Sequence, residues 1–71
     1  MKSAIRSMVD VHVRFRNRRA LDELRAHRRK LIAELRLLAG GYDISKPIAQ
    51  MQDEIAIIEA GLAKLDSAAA A

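Results

Sequence analysis

Eight Lys and Arg fall within the seventeen residues 14–30, and seven of them, Arg14, Arg16, Arg18, Arg19, Arg25, Arg29 and Lys30, lie off the chain's apolar stripes. Guanidinium and ammonium groups at this density suit polyanions, because neutralising phosphates is what dominates nonspecific nucleic-acid affinity. The 71-residue chain carries a net charge of +4 and a pI near 10.1. That charge is unevenly spread, with eleven Lys and Arg against four Asp and Glu up to residue 36, and two against five beyond it. Two uses of the asymmetry compete. The seven cations form a surface for phosphates or another acidic partner, or a basic helix is neutralised across a seam by an acidic one, with Arg25 and Arg28 near Glu59. Phe15 and Tyr42 are the only aromatic residues. That scarcity argues against reading single strands by base stacking.

Other chemistry is poorly supplied. His12 and His27 stand fifteen residues apart, and Glu23 and His27, four apart on a helix face, give two ligands where a metal site needs more. Asp22 and Glu23 are adjacent, as are Asp53 and Glu54, so each pair diverges around a helix and makes no convergent acid and base. Ser3, Ser7, Ser45 and Ser67 have no evident base to activate them. The Gly40-Gly41 pair lacks the downstream Lys-Ser/Thr of a phosphate-binding loop. Without cysteine there is no disulfide framework and no thiolate metal site. The sequence therefore predicts no enzyme, no metal and no cofactor.

Two heptad stripes must position whatever the chain does. Leu21, Leu24, Arg28, Leu31, Leu35 and Leu38 follow steps of 3, 4, 3, 4, 3; Ile44, Ile48, Met51, Ile55, Ile58, Leu62 and Leu65 follow 4, 3, 4, 3, 4, 3. A 3.5-residue mean spacing keeps one helix seam facing another. Between the stripes, Gly40 or Gly41 suits the left-handed residue that ends a helix, Ser45 a cap and Pro47 a first turn. So short a connection makes the neighbours antiparallel. The expected fold is mainly α: a helical hairpin over 18–66, with a helix at about 18–39, a turn at 40–45 and a helix at about 46–66. A basic N-terminal arm (1–17) precedes it and a disordered tail (67–71) follows. Arg28, the polar member of its stripe, requires a carboxylate, for which Glu59 is the best placed, or a route to the seam's edge.

The arm has a different period. Val9, Val11, Val13 and Phe15 alternate with Asp10, His12, Arg14 and Arg16. At 180° per residue the four apolar side chains share one face; at 100° they split onto two sides of a helix. Their β-branching also favours a strand over about 9–16, the alternative being one helix over 3–38. The chain has no second strand, so this one would pair with its mate, Asp10 opposite Arg14 and Val9 opposite Phe15. The order strand, helix, glycine turn, helix over residues 9–66 resembles the ribbon-helix-helix DNA-binding fold. That resemblance implies a dimeric ribbon in the major groove, with Asp10, His12, Arg14 and Arg16 facing the bases. The first helix here is much longer than that family uses, and Asp10 would oppose DNA.

Two helices cannot enclose a core, and a chain this short normally gains stability from disulfides, metals or association. The self-association core is then Leu21, Leu24, Leu31, Leu35, Leu38, Ile48, Met51, Ile55, Ile58, Leu62 and Leu65, with two hairpins dimerising into a four-helix bundle. Ile32, Leu37 and Ile57 lie off the stripes and widen the apolar face. Apolar runs are too short to cross a membrane. Asp10, His12, Arg14 and Arg16 interrupt any secretory signal, so a cytoplasmic location is expected. The sequence points to a non-enzymatic self-association and protein-interaction module, or alternatively to a dimeric nucleic-acid-binding protein using its Arg-rich half.

Overall fold

A computed structural model describes residues 4–70 of the chain. Three helices follow one another: α1 (Ala4–Arg14), α2 (Arg18–Leu38) and α3 (Ser45–Ala70). The hairpin expected from the two stripes is present as α2 and α3, packed along each other and joined by six residues.

Its turn follows from the residue types. Ala39 keeps helical angles, and Gly40 then takes φ +56°, a left-handed conformation that a residue without a Cβ adopts at no steric cost. The Tyr42 N–H donates to the Ala39 carbonyl at 2.9 Å. Asp43 then accepts the otherwise orphaned N–H of Ser45 at 2.9 Å, so the carboxylate stands at the positive end of α3. Hydrogen bonds from the Ser45 backbone and then from its side chain hold the Asp43 carboxyl below the usual value of 3.8. Ser45 is the first residue of α3, and Pro47 falls in its first turn as expected. At its other end α3 continues to Ala70. The expected tail at 67–71 is thus helical over 67–70, where an alanine run has high helix propensity, and its last residue lies outside the described region.

The N-terminal segment corrects the strand assignment. Residues 4–14 are helical, and no strand occurs among the described residues. Period-2 alternation and β-branching lose to tertiary packing. Ile5, Val9 and Val13 recur every four residues, so a helix lines them up. Ile5 and Val9 are buried with Leu21, Ile58 and Leu62, and Val13, Leu24, Ile57 and Leu65 pack around that cluster. Val11 and Phe15 are left outside, at 52% and 75% exposure. The strand pairing of Asp10 with Arg14 and Val9 with Phe15 therefore has no ladder to form on.

Gly61 makes this contact feasible. A Cβ built there would stand 2.6 Å from Val9 Cγ1 and 3.2 Å from Val13 Cγ2, so α1 rests on α3 where the side chain is missing.

The link between α1 and α2 uses three residues. The Asn17 N–H bonds the His12 carbonyl at 2.8 Å and the Arg16 N–H bonds the Val13 carbonyl at 3.1 Å, the paired bonds of a Schellman cap. Arg16 occupies the left-handed position at φ 54°, where glycine is usual. Asn17 closes one helix and opens the next, its side chain accepting the Ala20 N–H at 3.2 Å. An arm and a hairpin that the sequence separates are thus one packed unit at the end of the hairpin away from the turn.

Candidate functional site

The two sets of residues singled out by the sequence have different fates. Of the seam, Leu21, Ile58 and Leu62 are buried, at 0%, 0% and 4% exposure. Leu24 and Leu65 pack around that cluster beneath α1. Toward the turn the cover ends: Leu31, Leu35, Ile48, Met51 and Ile55 are only partly buried, and Leu38 is 82% exposed. Leu24, Leu31 and Leu38 are successive heptad positions on one row of α2; the first two are partly buried and the last, beside the turn, is exposed. Ile32, read as an off-stripe residue, is buried at 8% exposure. Leu37 and Tyr42 add exposed apolar surface at the turn, and Met8, Val11 and Phe15 add more on α1.

Length explains the partial cover. At 1.5 Å per residue, the 11 residues of α1 span about 16 Å and the 21 of α2 about 31 Å, so α1 can shield only half of the hairpin. The molecule measures 48 × 25 × 15 Å with a radius of gyration of 13.9 Å, against about 11 Å for a compact chain of this length. Its accessible surface is 5454 Å². A compact monomer of 7.9 kDa exposes roughly 4,400 Å². The difference, about 1,000 Å², resembles what one partner contributes to a standard protein interface.

The seven candidate polyanion contacts are mostly engaged. Arg18 pairs with Asp22 and Asp66, Arg19 with Glu23 at 3.3 Å, and Lys30 with Glu34 at 4.0 Å. Glu59 receives Arg25 at 3.5 Å and Arg29 at 3.7 Å. Arg14 and Arg16 alone among the seven have no carboxylate within ion-pair distance among the described residues. The basic helix thus lies against acids of its own and of α3. Most of these pairs are exposed and each contributes at most about 1 kcal/mol.

Arg28 is the exception. Its Nε donates to Glu54 Oε1 at 3.0 Å, with side-chain exposures of 19% and 17%. The partner is Glu54, five residues before the expected Glu59, which instead receives Arg25 and Arg29. This pair is the polar link between the two stripes, and it sits where covered apolar seam gives way to uncovered.

Neither histidine gathers ligands. His27 Nδ1 lies 3.0 Å from Arg28 Nη1, while Glu23, its expected neighbour, turns to Arg19. Among the described residues no three His, Asp or Glu side chains converge as a metal site would require, and no helix is long and apolar enough to cross a membrane. The acidic and basic residues beside the α1–α3 contact (Arg6, Asp10, Asp53 and Lys64) line an open cleft around Gly61.

Sequence reasoning missed Ile5, Val9 and Val13 as core residues. The i, i+4, i+8 spacing was available to find them, but the alternation of Val9 through Arg16 competed with it. Comparison of the chain with protein-family models, curated proteins and solved structures finds no match.

Proposed function

We infer that the chain is a non-enzymatic self-association and protein-interaction module whose helical hairpin is completed by a second copy. One observation carries this reading: the seam toward the turn is as regularly apolar as the buried half, yet α1 is too short to cover it. Burying such a face is the main favourable term available to a chain this small, at about 25 cal/mol per Å² of apolar surface. A second copy that covers this half supplies the helices that a lone hairpin lacks to enclose a core. The ion pairs along α2 support this reading over nucleic-acid binding, since five of the seven candidate cations already face carboxylates.

Leu31 tests it. Half-buried in one chain and central to the uncovered face, Leu31→Asp should lower the sedimenting mass from dimer to monomer and reduce the helical circular-dichroism signal. A Leu31→Asp protein that keeps both dimer mass and helicity contradicts the reading. A duplex-DNA shift at low salt serves the competing one: salt-sensitive binding lost on joint Arg14, Arg16, Arg18 and Arg19 to Ala substitution would favour a nucleic-acid function.

A further inference from the structure

We propose that the second copy packs antiparallel along the first, with α1 of each chain seated on the uncovered half of the other's hairpin. This rests on the self-association reading and assigns its geometry. The exposed apolar residues of α1 form one stripe: Met8, Val11 and Phe15 are spaced 3 and 4 apart and are 42%, 52% and 75% exposed. Phe15 lies just past the end of α1, but its N–H still bonds the Val11 carbonyl at 3.0 Å, which keeps it on the helical path. The stripe lies off the face carrying Ile5, Val9 and Val13, so α1 is apolar on two sides and its own hairpin covers only one.

Lengths and spacings agree. The uncovered part of α2 is about 15 Å long, close to the roughly 16 Å of α1. A two-fold axis near the middle of the rod brings the ridge formed by each α1 onto the open half of its mate. Such an isologous contact uses the same patch on both copies and closes after two. Within its own chain α1 doubles back against α2, so it runs parallel to α2 of the partner. Met8 then falls beside Leu31 and Phe15 beside Leu38, because both pairs are separated by seven residues, while Val11 faces Leu35. One symmetry operation covers both apolar ends of the molecule.

The absence of cysteine gives disulfide mapping a clean background. Single variants Phe15→Cys and Leu38→Cys, mixed, re-equilibrated and oxidised, should yield the mixed disulfide, as should Met8→Cys with Leu31→Cys. Phe15→Cys alone and Leu38→Cys alone should remain uncrosslinked, and Met8→Cys with Leu38→Cys should fail. Crosslinking of Phe15→Cys to itself would show α1 pairing with α1, and crosslinking of Leu38→Cys to itself would show turns meeting; either overturns the proposal. Dimer mass without the two mixed disulfides overturns this geometry alone. Monomer mass at every concentration overturns the self-association reading as well.

Discussion

Gly61→Ala separates two opposed physical effects. Gly61 lies inside α3, so adding a methyl group should favour the helix by about 1 kcal/mol on propensity alone. The same methyl would stand 2.6 Å from Val9 Cγ1 and 3.2 Å from Val13 Cγ2. Carbon atoms pack best at about 3.5–4.0 Å, so α1 must withdraw by about 1 Å or Val9 must leave its rotamer. Val9 cannot yield cheaply, because a β-branched side chain in a helix is held to one χ1 well. Overpacking of this kind costs about 1–3 kcal/mol, and contact with two stiff valines at once places the cost near the top of that range. The net expectation is a loss of about 1–2 kcal/mol in urea unfolding, compared at equal protein concentration because association contributes to stability. Val9→Ala should offset part of that loss when combined with Gly61→Ala, giving a coupling of about 1 kcal/mol between two sites in contact. A Gly61→Ala protein about 1 kcal/mol more stable than the parent would refute the close packing of α1 on α3.

Other substitutions probe the remaining joints. Arg16→Gly should stabilise the chain by about 1 kcal/mol in thermal or urea unfolding, since Arg16 holds the left-handed position of the α1 cap. Glu54→Ala should destabilise by about 1–3 kcal/mol by stranding the mostly covered Arg28 guanidinium, and joint replacement of Arg28 and Glu54 by Leu should restore most of it in the same assay. Asp43 should titrate below 3.8 in a carboxyl NMR titration, and Ser45→Ala should raise its midpoint part of the way back, leaving the backbone bond in place. Because the folded-state value is the lower one, the Asp43 contribution is present above the ordinary carboxylate range and is lost as the pH falls below about 4.

The hairpin was legible because three independent signals agreed on it: two heptad stripes of matched length, a glycine pair between them, and Ser45 with Pro47 ready to start the second helix. The beginning of α2 falls at the expected residue 18, where the Asn17 side chain caps it by accepting the Ala20 N–H. The N-terminal segment was not legible. Val9 through Arg16 fits a strand by period and propensity, and what decides otherwise is the bare patch at Gly61, fifty-two residues from Val9, against which only a helix brings Ile5, Val9 and Val13 together. Pairing within the seam was legible in kind but not in register. Arg28 needed a carboxylate, yet Glu54 and Glu59 are both on α3; Arg28 takes Glu54, while Arg25 and Arg29 reach Glu59. A cation count likewise reports that charge is present, not that most of it is matched from within the chain.

The most direct measurement is the mass of the unmodified chain by sedimentation equilibrium, together with its melting temperature over a range of concentrations. A mass twice the 7.9 kDa of one chain, with a melting temperature that rises with concentration, is the expected result. A single 7.9 kDa species that melts cooperatively at a temperature independent of concentration would contradict the claim that the hairpin needs a second copy to complete it.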